Sequence, residues 1–194
     1  AQEFLQQLKT DPRFIAADAE EVEQRYLEYI RRIEPMLGEY FKTLPKAPYG
    51  VKRLPLAVEA GMTYGYYGEP SAADPVGYYY YNASNLSERS MVWAGGLIYH
   101  ELLPGHHFHI ATQAENKSLQ KFRQNSIDNA YTEGWAEYAA SLAEEMGLYA
   151  TPEELYGRYI GQIFLAARLV VDTGMNALGW SLEEAREYMA QYAI

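Results

Sequence analysis

LIYHELLPGHHFHIATQ, running from Leu97 to Gln113, holds all 4 histidines of the chain. His100 is followed directly by Glu101, as in helices where histidines at i and i+4 share a metal ion. That spacing works because a four-residue advance is about 400° and about 6 Å, so both imidazoles project from one face. Here the next histidines are His106, His107 and His109. An unbroken helix would carry His106 round to the opposite side and His107 about 10 Å along the axis. Pro104 offers a way out: it has no amide hydrogen for the carbonyl of His100, and its ring crowds that carbonyl. Gly105 beside it reaches backbone angles closed to other residues. Together they bulge the extra residues out and return His106 to the i+4 place, the favoured reading; a larger bulge would bring His107 there instead. The stretch therefore reads as helical segments meeting at a proline–glycine step, within a mainly α chain.

A catalytic metal site needs a third protein ligand and an open position. NAYTEGWAEYAASLAEE, Asn129 to Glu145, offers Glu133 on a separate helix, with Gly134 permitting close approach and Trp135 as a wall. Glu137, one turn on, shares that face and is placed to hydrogen-bond a ligand histidine. The chain has 0 cysteines, which excludes thiolate ligands, cysteine nucleophiles and a disulfide framework together. Any metal must then be held by His, Asp and Glu. With His100, His106 and Glu133 as ligands, Glu101 is the general base toward a water whose pKa the ion lowers.

The bulk numbers agree with this and close other routes. A chain of 194 residues, 48% hydrophobic and 22% charged, is of the globular class and can bury one substantial core. A net charge of −10 argues against nucleic acid, which needs clustered Lys and Arg. No apolar run approaches the ~18–20 residues that span a bilayer. AQEFLQQLKTDPRF lacks the charged-then-apolar layout of a secretory signal. A signal already removed would leave the same start, so a periplasmic or secreted location stands beside a cytoplasmic one. The 19 tyrosines, crowded into YGYYGEP and GYYYYNA, suit partly wet clefts and strand rims.

Three regions follow along the chain. Residues 1–45 are helical: Asp18 with Glu21 marks a helix start, apolar residues recur to about Tyr40, and Pro35 divides the run. Residues 46–84 form a small tyrosine-rich β region, with VKRLPLAVE and VGYYYYNA as strands and GEPSAADPVG as the loop between them. Residues 85–194 are the helical metal-binding core. Asn85 with Glu88 opens a helix into MVWAGGLIYHELL, and a long helix runs from Ser118 to Met146, where Gly147 stops it. Thr151-Pro152-Glu153-Glu154 starts the next, and Ser181 with Glu184 the last, which continues to the end of the chain. The expected class is mainly α, α+β, in a single domain or a fragment of a longer protein.

YHELLPGHH, EGWAEYAASLAEEMGLY and ARLVVDTGMNALGWSLEEAREYM resemble, in order, the bacterial family catalogued as domain of unknown function 885, over roughly Gly77 to Met189. The family looks like a branch of the zincin metallopeptidases. Its Glu-Gly-Trp-Ala is similar to the Glu-Gly-Phe-Ala of gluzincin aminopeptidases, whose glutamate is the third zinc ligand. The resemblance implies a zincin-like core with His100, His106 and Glu133 as ligands and Glu101 as base. Asn176 stands where the family often has a histidine able to stabilise an oxyanion, so Asn176 or the tyrosines are expected as the catalytic donors there, and His109 stands where glutamine is common. In zincins an edge strand beside the metal pairs with the substrate, and GYYYYNAS is the candidate, with Tyr79 and Tyr81 on one side and Asn82 at its end. Arg168 and Asp172, at i and i+4, are expected to pair. The alternatives are Arg168 on a substrate carboxylate and Asp172 orienting Asn176 or a ligand histidine.

The expected function is that of a zinc-dependent hydrolase holding one Zn2+, a metallopeptidase acting on a peptide substrate. Rival readings are a degenerate or truncated member that keeps the metal without turnover, and a metal-free glycosidase using Glu101 and Glu133. Oligomeric state is not legible in the sequence.

Overall fold

The computed structural model describes residues 2–192. Helix α1 (Gln2–Thr10) leads through a 3-10 turn (Pro12–Phe14) to α2 (Ala19–Ile33). The capped start is present: the Glu21 amide donates to Asp18 at 2.9 Å, and the Glu21 carboxylate accepts from the Ala17 amide. Val22, Tyr26, Tyr29, Ile30 and Ile33 form the buried face of α2. Pro35 divides the helix as expected, through a 3-10 turn (Glu34–Met36) into the short α3 (Leu37–Tyr40).

The tyrosine-rich region forms a sheet of strands β1 (Tyr49–Arg53), β2 (Gly65–Gly68) and β3 (Gly77–Tyr81), in the order β1-β3-β2. β1 runs parallel to β3 and β2 antiparallel. Three expectations need correcting. VKRLPLAVE is a strand only to Arg53, because Pro55 cannot donate to a ladder and the chain turns into the short α4 (Leu56–Glu59). GYYG is a strand in its own right. Finally, β3 is the central strand and not the edge; the edge is formed by β2 on one side and β1 on the other. Tyr79 and Tyr81 of β3 are 0% and 2% exposed, and burial that deep is reached in the middle of a sheet.

The rest is helical: α5 (Ala94–Glu101), α6 (His106–Glu115), α7 (Lys121–Gln124), α8 (Asn129–Glu145), α9 (Pro152–Ala177) and α10 (Leu182–Tyr192). Asn85 does not cap a helix running into α5. It adopts φ 51°, a short 3-10 turn (Leu86–Glu88) follows, and Ser90 caps a second one (Met91–Trp93) that runs into α5. The long helix expected from Ser118 is likewise two, since Asp128 accepts from the Tyr131 amide at 3.1 Å and starts α8 afresh. Its end is as expected, at Gly147 with φ 71°. Thr151 accepts from the Glu154 amide at 3.2 Å, and Ser181 and Glu184 cap each other. The last two residues of the expected final helix lie outside the described residues.

The result is a mainly helical protein with one small sheet. A connected core runs from Ala16 on the chain segment before α2 through Tyr79 and Tyr81 to Ala140, Ala143 and Leu148, so all three sequence regions share it. Helix α5 lies at its centre, packed against α2, α8 and α9. Along α5 and the turn before it, only Trp93, Leu97 and His100 are half-buried between Trp93 and His100. Those positions share one face of a 3.6-residue helix, and that face carries the site.

Candidate metal centre

The proline–glycine step does what its sequence suggests. Helix α5 ends at Glu101, the Leu103–Pro104 peptide is cis, and α6 begins at His106. Gly105 passes so close to α5 that a Cβ there would overlap the carbonyl oxygen of His100 outright and lie 2.6 Å from that of Tyr99. The turn is pinned from outside by Trp135, whose indole N–H donates to the Pro104 carbonyl at 2.9 Å. As a result the His100 and His106 rings stand 4.7 Å apart at 82°.

Helix α8 completes the cluster. One Glu133 oxygen lies 3.4 Å from His100 Nε2 and the other 3.6 Å from His106 Nε2. One ligand atom from each of His100, His106 and Glu133 falls within 4.8 Å of the others, a spread that a single cation can draw together. Glu137 accepts from His100 Nδ1 at 2.8 Å, which orients the ring and turns Nε2 into the cluster. The Glu133 side chain is 63% exposed, so the cluster opens to solvent on the α8 side.

The electrostatics of the cluster follow from its burial and its carboxylates. Burial disfavours a charged His100, yet hydrogen bonds to Glu133 and Glu137 outweigh it and raise the pKa to about 10. Burial, aided by the His100 charge, pushes His106 down to about 4, so its imidazole is neutral. Glu133 is held below the usual carboxylate range, first by its hydrogen bond with His100. The carboxylates thus favour positive charge among the imidazoles, as a proton on His100 or as a bound cation. His106 keeps a free lone pair for such an ion. This donor set fits a divalent cation bound by two imidazoles and one carboxylate, which suits zinc and also iron.

Glu101 is 8% exposed, and burial raises its pKa to about 7, the range of a general base. The Tyr67 backbone amide lies close to it and favours its charged form. That contact locates the sheet edge. The Asn82 amide donates to the Tyr64 carbonyl at 2.8 Å, so Tyr64, Tyr66 and Gly68 bond to β3 while Gly65 and Tyr67 turn their backbone groups outward. The outward edge of β2 therefore borders the cluster.

His107 is not in the cluster. It is fully buried on the other side of α6, where it donates from Nε2 to the Ala47 carbonyl at 3.0 Å. Its Nδ1 must then be the acceptor, and it takes the Tyr67 hydroxyl at 3.0 Å. A side chain on Gly77 would collide with this bond. His107 thereby ties β2 to the metal helix. His109 lies one turn beyond His106 and donates to Gln113 Oε1 at 2.9 Å, because the Gln113 amide nitrogen is taken by the carbonyls of Arg123 and Ser126.

The remaining predicted residues are dispersed. Tyr81 donates to Glu23 at 2.9 Å, and Tyr79 packs edge-on against Tyr26, so both point into the core and away from a substrate. Asn82 donates to the carbonyls of Glu59 and Met62 and holds the chain after β3. Asp172 does not pair with Arg168; it accepts from Asn176 at 2.9 Å and so orients that side chain rather than a ligand histidine. Arg168 stacks over Phe164 at 5.7 Å, and its charge helps to lower the pKa of Glu133. Asn176 is exposed near the end of α9, where its side-chain amide donates to the backbone carbonyl and the carboxylate of Asp172. The residue that sequence reasoning missed is Tyr67, whose signal was the GYYG run between glycines.

Residues 1–194 match the family described as "Bacterial protein of unknown function (DUF885)". The chain belongs to this family. Among solved structures it is similar to "the putative lipoprotein from Colwellia psychrerythraea", with a TM-score of 0.92 and 34% identity over 98% of this chain. The match covers 34% of that relative, so the DUF885 chain spans about a third of its length. No curated protein matches.

Proposed function

We propose that this DUF885 chain carries the centre of a zinc-dependent hydrolase, a metallopeptidase with a zincin-like core. The observation that carries the reading is the convergence of His100, His106 and Glu133 within 4.8 Å, beside the buried carboxylate of Glu101. His100 Nε2, His106 Nε2 and a Glu133 oxygen would hold the ion, and Glu137 would orient His100. The bound ion supplies Lewis-acid polarisation of the scissile carbonyl and acidifies water. Glu101 takes the proton from the attacking water as the C–O bond forms, and delivers it to the departing amine as the C–N bond breaks. The outward Gly65 and Tyr67 backbone groups of β2 can add the peptide to the sheet as a strand. The Tyr67 backbone lies close to Glu101, so the peptide would lie against the base. A metal-free glycosidase has no use for imidazoles on either side of Glu133.

The lipoprotein description of the solved relative supports a periplasmic or secreted setting. The deciding experiment is metal analysis of the purified protein, followed by assay on a peptide library with chelator and with zinc restored. Zinc bound at one equivalent, with cleavage that chelation abolishes and Glu101→Gln removes, is the expected result. Zinc bound without cleavage would leave a metal-binding domain in place of an enzyme. No metal bound at all would end the reading.

A further inference from the structure

The face of α5 that carries His100 extends past the metal cluster into a second feature. Trp93 and Leu97 precede His100 on that face, and Trp93 lies about 10 Å from it along the axis. Over Trp93 opens a cavity of about 400 Å3, lined with Tyr64 just before β2, Phe164 and Ile160 of α9, and Lys9 and Arg89. Its apolar wall is continuous: Trp93 contacts Tyr64 at 4.6 Å and Phe164 at 6.0 Å between ring centroids. The cavity and the cluster thus share a floor in α5, a β2 side and an α9 side.

The charges at this cavity are unusual for a protein of net charge −10. Arg89 is held rigidly, its guanidinium donating to the carbonyls of Ser84 and Thr63. Those acceptors are neutral, so they fix the group without cancelling its charge. Among the described residues neither Lys9 nor Arg89 has a carboxylate in salt-bridge range. Glu88, exposed at the rim, is the one acid in the lining. Two cations against one acid, beside a wall of rings, fit an anion attached to an apolar group.

We propose that this cavity binds the free C-terminal carboxylate and apolar last side chain of a peptide, so that the enzyme releases short C-terminal fragments. The inference rests on the hydrolase reading and names its substrate class. The direction follows from the strand. β2 runs from Gly65, the residue after Tyr64 in the cavity wall, toward Gly68, and a peptide pairing antiparallel to its free edge places its C-terminus at the Gly65 end. An N-terminal ammonium at that end would meet Lys9 and Arg89 and be repelled. At about 3.3 Å per extended residue, a span of about 10 Å puts about three residues between the scissile bond and the carboxylate.

The test measures binding, not turnover, by calorimetry on the whole chain stripped of metal with chelator, so that a carboxylate has no ion to ligate. The probes are acetyl-Ala-Ala-Ala-Phe as the free acid and the same peptide as its carboxamide. The acid should bind at least about tenfold more tightly, and Lys9→Gln and Arg89→Gln should each close most of that gap. Lys9→Gln keeps the test alive should Arg89→Gln lose the loop that Arg89 holds. Equal affinity of acid and amide overturns the proposal. So does a gap that survives both variants but vanishes in Arg168→Gln, since the carboxylate would then sit beside the cluster. Zinc titration of the same wild-type preparation reports on the hydrolase reading separately.

Discussion

Replacing Gly105 by alanine tests the hinge on which the proposed metal centre depends. A Cβ at this position would lie 2.6 Å from the Tyr99 carbonyl oxygen, where ordinary contact begins at 3.4 Å, and would overlap the His100 carbonyl. The start of α6 must therefore retreat from the end of α5 by about 0.8 Å at Tyr99 and by more at His100. These are backbone atoms on both sides, so no flexible side chain can absorb the shift. His106 is the residue directly after Gly105, and the retreat carries its imidazole away from His100. Metal–ligand distances tolerate only about ±0.2 Å, and even misplaced supporting groups cost 10–100-fold in affinity. Gly105→Ala should thus lower zinc affinity by about 100-fold or more, read by competition with a chromophoric chelator. Circular dichroism on the same sample checks that the helices persist. Zinc affinity within threefold of wild type, with the fold intact, would refute the idea that the close Pro104–Gly105 turn sets the cluster.

Further expectations concern neighbouring groups. Glu137→Gln keeps an acceptor for His100 but removes its charge, so zinc affinity should fall about tenfold by the same titration. Glu59, buried at 4% exposure, accepts from Arg53 at 2.9 Å and from the Ala83 amide. Glu59→Gln should cost about 2 kcal/mol in denaturant unfolding at pH 7. The hydrogen bond from Arg53 holds the pKa of Glu59 below its ordinary value, so its stabilisation is present above the unfolded pKa and lost as pH falls through the folded one. The gap between wild type and Glu59→Gln should accordingly narrow between pH 5 and pH 3. Asn176→Ala should leave zinc affinity unchanged within threefold, because Asn176 bonds to Asp172 and not to the ligands. A larger loss would place Asn176 closer to the cluster than its contacts indicate.

Local chemistry made much of this protein legible. The caps at Asp18, Thr151 and Ser181 act within a few residues, so their helix starts could be read directly, as could the stop at Gly147. The same holds for the hinge: a proline without an amide hydrogen and a glycine without a Cβ say that the helix must break after His100. They do not say by how much, and the choice between His106 and His107 needed packing. It was made by the partners of His107, the Ala47 carbonyl and the Tyr67 hydroxyl, which lie far away in the chain.

What tertiary structure alone decided is which surfaces face each other. Strand order is the clearest case, because alternating tyrosines specify two faces of a strand but not its neighbours. GYYYYNAS and GYYG look alike in composition, yet β3 lies in the middle and β2 carries the free edge. Arg168 and Asp172 have the spacing of an ion pair, but Phe164 and Asn176 offered each of them a competing partner. The sequence by itself determined which side chains could serve as ligands, the helix ends and the place of the break, since these depend on groups a few bonds apart. The fold determined which carboxylate meets which imidazole and which strand borders Glu101, since those contacts join segments whose separation no local rule constrains.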